Sequence, residues 1–359
     1  MKPLADLQIP LIPDTSVLPL ALEFFPRFRY MGSKFRLLPW IHDTLRDLDF
    51  ETATDAFSGS GVVSYLLKAM GKQVRANDSL AFPSVLTAAT VANSATRLDA
   101  GDLEFLLTSK ARNSAERFIR RTFDGIFYTP GELSFLDDLW AGIREMDSPF
   151  KRAVSLAAIL RSAIKRQPRG LFTVSDPGRY QDGRRDLQLT LREHFIEQVE
   201  AYNAAVFSNG KRNSCTCGDV SEIKPGSDLA YMDPPYVPLA DDNCYIKRYH
   251  FLEGLACYWE GKEIMMTSKV RKIVKPFTPF SYRSTAIDAF DRLFRQFADS
   301  TLVLSYSSNA FPDLDTLRKL MGRYKRSVEV LEKTHRYHFG THEAAKRNVV
   351  QEYLIIGIT

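Results

Sequence analysis

Between Thr52 and Asp78 the chain switches from a strand-like pattern to a helical one and back. Thr52-Ala53-Thr54-Asp55-Ala56-Phe57 reads as a short strand, Ser58-Gly59-Ser60-Gly61 as a turn, and Val62 to Met70 carries apolar residues at helical spacing. Gln73-Val74-Arg75-Ala76-Asn77-Asp78 then reads as a second short strand ending in an acid. Two strands joined by one helix make a βαβ unit, the seed of a doubly wound sheet. Upstream, Arg36 through Leu48 also shows helical spacing. The strand pattern returns at Asp228-Leu229-Ala230-Tyr231-Met232, which runs into Asp233, and at Thr301 to Tyr306. Val328 to Leu331 and Glu352 to Ile358 read as closing strands of the same sheet. From about 83 to 213 helical patterns replace strands. The predicted architecture is an α/β domain made of 1–82 and 214–359, interrupted by a mainly helical insertion at 83–213.

Composition narrows the class. The 359 residues are 45% hydrophobic and 25% charged, which is ordinary for a globular protein and excludes wholesale disorder. Lys and Arg number 48 against 43 Asp and Glu, a net charge of +5. The charge is concentrated. In the window 151–185, nine cations (Lys151, Arg152, Arg161, Lys165, Arg166, Arg169, Arg179, Arg184 and Arg185) face only Asp176 and Asp182, a local net charge of +7. A second basic stretch, 264–287, holds Lys269, Arg271, Lys272, Lys275 and Arg283 with no acid, beside Phe277, Phe280 and Tyr282. A solvated face is the usual reading of such a run, and the aromatics favour a nucleic-acid contact. Four cysteines do not make a disulfide scaffold and fit a reducing compartment. No apolar run reaches the roughly 18 residues that would span a bilayer. The segment 1–23, punctuated by Pro3, Pro10, Pro13 and Pro19, lacks the apolar stretch of a signal peptide. These features predict a soluble cytoplasmic protein.

Two segments carry chemistry. In Phe57-Ser58-Gly59-Ser60-Gly61 the glycines allow a sharp turn and close approach of a ligand, and the helix beyond favours polar or anionic groups. A dinucleotide fingerprint would want a third Gly at 64, where Ser64 stands, and no Walker Lys follows. The loop alone is equally consistent with a plain tight turn. With Asp78 placed to accept ribose hydroxyls, a nucleoside without a pyrophosphate is favoured. The second segment, Asp233-Pro234-Pro235-Tyr236, follows an apolar strand, where open α/β sheets bind ligands. Its prolines fix two φ angles and remove two donors, leaving a stiff cluster of acceptors suited to an amino group. Tyr236 adds a flat stacking face.

Taken together these segments resemble the Dam-like adenine-N(6) DNA methyltransferases of the α arrangement. Arg29-Tyr30-Met31-Gly32-Ser33-Lys34 looks like that family's N-terminal cofactor motif, Phe57 to Gly61 its glycine loop and Asn77-Asp78 its ribose-binding acid. Gly218-Asp219 precedes the catalytic signature Asp233 to Tyr236, and Asn348 to Leu354 resembles the closing strand. The likeness spans most of the chain and is strongest at 29–78 and 228–251. It departs at Gly32-Ser33, where Dam has Gly-Gly, and the insertion matches only near Pro149 to Val154 and Gly170 to Val174.

The resemblance implies an S-adenosylmethionine-dependent methyltransferase sheet, no metal, and methylation of a flipped adenine in duplex DNA. It implies a cognate restriction endonuclease or an orphan role. Its cofactor residues map to Tyr30, Lys34, Phe57, Gly59, Gly61, Asp78, Asp219 and Asp233, and its catalytic residues to Asp233, Pro234, Pro235 and Tyr236. DNA contacts are expected from Arg161, Lys165, Arg166 and Arg169, with Lys269 and Lys272. Two other functions stay open at this stage: methylation of cytosine-N(4) or RNA, disfavoured by the Asp at 233, and a non-catalytic nucleic-acid-binding subunit, disfavoured by the intact signature. Cys215 and Cys217 lack a second metal-ligand pair and read as incidental. His335, His338 and His342 read as part of a DNA-facing or solvated hairpin loop. Tyr245 and Tyr249-His250-Phe251 could clamp the base or simply pack.

Overall fold

The structure, a computed structural model, describes residues 17–111, 117–168, 170–173, 183–235, 237–238, 244–336 and 349–359. The strands are β1 (Thr52–Asp55), β2 (Gln73–Asp78), β3 (Ser214–Cys217), β4 (Leu229–Met232), β5 (Val237–Pro238), β6 (Thr301–Ser307), β7 (Ala310–Phe311), β8 (Ser327–Arg336) and β9 (Val349–Ile358). Seven of them form one sheet in the order β3-β2-β1-β4-β6-β9-β8, and β5 pairs with β7 alone. The first five strands of that order run parallel, and β9 is antiparallel to both neighbours. This is the doubly wound mixed sheet expected from the sequence, including the two closing strands.

The helices are α1 (Leu38–Arg46), α2 (Val62–Ala69), α3 (Ala81–Thr87), α4 (Ala100–Thr108), α5 (Phe118–Thr122) and α6 (Pro130–Glu145). Then come α7 (Pro149–Arg166), α8 (Arg185–Gln188), α9 (Leu191–Ala205), α10 (Tyr245–Cys257), α11 (Arg283–Gln296) and α12 (Leu314–Met321). Alternation along β4 sorts its side chains between two layers. Leu229 and Tyr231 pack with Leu38, Ile41 and Leu66 of α1 and α2, while Ala230 and Met232 pack with Phe290 and Leu293 of α11 and Leu317 of α12. Burial on both faces explains why β4 is apolar throughout.

The helical segments between β2 and β3 build a third core, and they do not close it alone. Leu133 and Leu136 of α6, Val154 and Ile159 of α7, and Phe195 of α9 share it with Tyr249, Phe251 and Leu255 of α10, and with Val270 and Ile273. Local signals start these helices. Thr129 with Glu132, Thr190 with Glu193 and Asp99 with Asp102 form reciprocal capping boxes that satisfy the first free amides. At the N-terminal side, the expected helix at Arg36 begins as a 3-10 turn, Lys34–Leu37, because Pro39, in the first turn of α1, has no N–H to carry an α-helical bond back to Phe35. Among the described residues no helix is long and apolar enough to cross a membrane.

Candidate active site

Parallel pairing brings the carboxyl ends of β2, β1 and β4 together, and each delivers an acid there: Asp78, Asp55 and, just past β4, Asp233. After β1 the chain turns sharply. Ser58 N–H donates to the Asn77 carbonyl at 2.8 Å and Gly61 N–H to the Ser58 carbonyl at 2.7 Å. Gly59 sits at φ +50°, and a Cβ there would lie 3.1 Å from the Tyr30 ring. Gly61, at φ +79°, caps α2. Asp78 fastens this loop: its Oδ2 accepts from Gly59 N–H and its Oδ1 from Leu80 N–H, both at 2.9 Å. Burial pushes the Asp78 carboxyl up to about 6, against the pull of those two hydrogen bonds.

The N-terminal motif crosses the same opening. Tyr30 stacks on Tyr249 (5.6 Å, 7° between planes) and on Tyr245 (5.4 Å, 27°), and the Tyr249 hydroxyl accepts from Met31 N–H at 2.8 Å. Of the alternatives open for Tyr245 and Tyr249, the structure thus gives packing, on Tyr30 and Met31, with Tyr245 also facing the cavity. So fixed, Lys34 is 3% exposed and places Nζ 2.9 Å from Asp233 Oδ1. Burial works to lower the Lys34 ammonium, and the charges of Asp233 and Glu352 outweigh it, so the lysine holds its proton. Burial likewise pushes Asp233 above the usual carboxylate range, and Lys34 opposes that push.

A cavity of about 320 Å³ joins these parts. Tyr30, Lys34, Phe57, Gly59, Asp78, Asp219, Asp233 and Pro235 all line it. Gly61 stands behind the loop, against Thr87. Asp219 is exposed at the rim, where its Oδ1 accepts from Ser221 N–H at 2.8 Å. Among the lining residues, Ser58 Oγ, Asp55 Oδ1 and the Tyr231 hydroxyl are buried without a hydrogen-bond partner. Such orphans are costly unless a ligand meets them. The donor set fits a nucleoside carrying an amino-acid tail: acids for hydroxyls and an ammonium, aromatic rings for a base, and backbone that lets it come close.

Asp55 is the residue that pattern reading missed, because it counted as part of a strand. Its signal was available: an acid at the carboxyl end of the first strand, directly before the glycine turn. Burial, aided by the charges of Asp233 and Asp78, raises it from 3.8 to about 7, although Ser64 Oγ donates to Oδ2 at 2.6 Å. In the unfolded chain it ionises near 3.8, whereas in the folded ligand-free protein it resists ionisation. Its stabilising contribution is therefore complete below that value and is lost as the pH rises through about 7. Urea unfolding of ligand-free protein at steps from pH 4 to 7 should show stability falling, and Asp55→Asn should flatten the fall. An unchanged slope in the variant would remove Asp55 from the account.

The cations predicted to meet DNA have partners inside the protein. Arg161 Nε donates to the Arg27 carbonyl at 2.9 Å and its Nη1 to Gln198. Lys165 Nζ lies 2.8 Å from Asp186 Oδ1, whose Oδ2 also takes Arg29 at 2.9 Å. Arg166 bridges Glu132 at 2.8 Å and the Leu187 carbonyl at 2.9 Å. A phosphate reaching these three would have to displace those partners. Lys269 is exposed and Lys272 half-buried, both on the segment that closes the far side of the cavity. Tyr236, Arg169, His338 and His342 lie outside the described residues, and His335 is on β8.

The chain has relatives with related names. It is 28% identical to the Type II methyltransferase M2.HphI of Haemophilus parahaemolyticus, over 87% of this chain and 92% of that one. It is 27% identical to the modification methylase LlaI of Lactococcus lactis subsp. lactis over 86% of this chain, and it spans about half (51%) of that longer protein. The family model for D12 class N6 adenine-specific DNA methyltransferases matches residues 30–297, from the stacked Tyr30 to the end of α11. The chain belongs to that family and is an adenine-specific DNA methyltransferase.

Proposed function

We propose that the protein transfers a methyl group from S-adenosylmethionine to the exocyclic nitrogen of an adenine turned out of duplex DNA, at one short sequence. The observation that carries this reading is the Lys34–Asp233 pair, 2.9 Å apart, sharing one cavity with the glycine loop and Asp78. Tyr30, Phe57, Gly59, Gly61, Asp78 and Asp219 hold the cofactor, and Asp55 and Ser58 offer it their unpartnered atoms. Bound there, S-adenosylmethionine supplies an electrophilic sulfonium methyl.

The protein's part is to prepare the amine. Adenine's exocyclic nitrogen is a poor nucleophile because its lone pair is delocalised into the ring. One N–H donates to the Asp233 carboxylate and the other to a backbone carbonyl near Pro234, which favours a pyramidal nitrogen with a localised pair. Pro234 and Pro235 keep those acceptors stiff, so positioning and preorganised charge supply most of the rate. Lys34 favours the ionised form of Asp233 against its burial, and after the methyl has moved the amine passes its surplus proton through Asp233 to solvent. Tyr236 stacks on the extruded base. We assign target recognition to the helical segments of 83–213, on the concentration of positive charge at 151–185; Arg161, Lys165 and Arg166 take part in it by exchanging their partners within the protein for DNA, and Arg169 belongs to the same basic run.

The likeness to the Type II methyltransferase M2.HphI and the modification methylase LlaI supports a place beside a restriction endonuclease, whose sites this enzyme would protect. Long-read sequencing of DNA from cells expressing the protein should show N6-methyladenine at a single motif; N4-methylcytosine, or no modification, overturns the reading. For the cofactor site, Asp78→Ala should weaken S-adenosylmethionine binding by about 1–3 kcal/mol in calorimetry, the cost of losing hydrogen bonds to a buried group. Unchanged affinity would remove Asp78 from the site.

A further inference from the structure

The stretch from Ile264 to Arg283 is an excursion of the chain that ends on the cavity. It leaves α10 and folds back on itself through an isolated antiparallel bridge, Ile264 to Ile273, with Met265 N–H donating to the Lys272 carbonyl at 2.8 Å and Val274 N–H to the Glu263 carbonyl at 2.9 Å. Val270 and Ile273 anchor one end in the helical core. Phe280 anchors the other, 5.3 Å edge-on from Phe57 and 5.4 Å from Phe290. Between these anchors the surface is apolar and basic at once. Phe277 is 69% exposed, far more than a large ring needs to be, and Met266 (57%) and Val274 (41%) stand out with it. Phe277 lies parallel to Tyr282, with ring centroids 5.4 Å apart and 12° between planes, and Lys275 Nζ sits 4.9 Å over the Tyr282 ring. Lys275 through Thr278 line the mouth of the cavity.

The charges here differ from those of the 151–185 window. Lys165, Arg166 and Arg185 are paired with Asp186, Glu132 and Glu197. Lys269, Lys272, Lys275 and Arg283 form no ion pair among the described residues, and no acid occurs from 264 to 287. An exposed pair of parallel rings has a flat face that any nucleobase can cover, and uncommitted cations around it suit a polyanion.

The geometry points to this lip as a base-stacking element of the DNA interface: the Phe277–Tyr282 pair takes the face of a base unstacked at the target site, while Lys269, Lys272 and Lys275 hold the neighbouring phosphates. This rests on the reading of the protein as an enzyme of duplex DNA and adds the residues that would stabilise the opened duplex. The test uses the full chain and a duplex containing the methylation motif, with 2-aminopurine, which brightens on unstacking, in place of the target adenine. Phe277→Ala should weaken duplex binding about tenfold or more and remove most of the brightening, while Phe277→Trp keeps both. Lys269→Ala, Lys272→Ala and Lys275→Ala should each lower the salt dependence of binding by about one unit. S-adenosylmethionine affinity, measured without DNA, should be the same in Phe277→Ala as in the parent. If Phe277→Ala binds and opens the duplex as the parent does, the lip is not a stacking element. If it loses cofactor affinity and not DNA affinity, the lip covers the cofactor and the proposal is overturned. A parent protein that binds no duplex at all would instead overturn the DNA reading itself.

Discussion

Asp233→Ala is expected to reduce methylation by about a hundred- to a thousandfold while leaving the fold intact, the cost of losing one preorganised partner of a reacting group in other enzymes. In the proposed mechanism Asp233 is the acceptor that orients the amine, and in the structure it is also the ion-pair partner of Lys34, 2.9 Å away. Asp233→Asn separates the two roles. Its amide oxygen still accepts one hydrogen bond, but the charge is gone, so its activity should fall between parent and Ala. Methyl incorporation under single-turnover conditions gives the rates, and circular dichroism checks the fold. Substantial activity in Asp233→Ala would sink the mechanism.

Lys34→Met should be the next most damaging change, through another residue. Breaking a buried ion pair by removing one partner costs about 3–5 kcal/mol when the remaining charge is fully enclosed. The Asp233 side chain is 21% exposed, so the loss should lie at or below the low end of that range. The kinetic signature is more specific. Lys34 opposes the burial that raises the Asp233 pKa, so without the lysine that pKa climbs further and the carboxylate is lost at a higher pH. The acid limb of the kcat–pH profile should therefore move up in Lys34→Met, with much less movement in Lys34→Arg. A Met variant that is merely less stable, with an unmoved acid limb, would reduce Lys34 to a structural role.

Much of this site could be read from the chain because its chemistry is local. The glycine turn, Asp78 and Asp233-Pro234-Pro235 each lie at or just past the end of a strand, and strands buried on both faces, such as β4, announce themselves by unbroken apolar character. What escaped notice was not local. β3 is the polar stretch Ser214-Cys215-Thr216-Cys217, largely exposed at the edge of the sheet, and only its pairing with β2 makes it a strand. The basic window at 151–185 was visible as charge, but Glu132, Asp186 and Glu197, which pair with Arg166, Lys165 and Arg185, lie outside it. Counting charges along the chain cannot see an acid that arrives from another helix. Tyr249 is a similar case: it belongs to α10, and its stacking on Tyr30 joins residues more than two hundred positions apart.

Because β1 lies between β2 and β4, its second edge stays open during synthesis until Leu229 has left the ribosome. The 151 positions from Asp78 to Leu229 take about 8–30 s at ordinary translation rates. A nascent chain in that interval already carries Asp78, the glycine turn and Lys34, yet has no Asp233 to orient an amine or to balance the lysine. Fragments released early, by a nonsense codon or by proteolysis within the helical segments, would keep part of the proposed cofactor cradle and lack the proposed catalytic acid. On the reading proposed above, methylation competence thus cannot precede the arrival of β4 and Asp233 from the later part of the message.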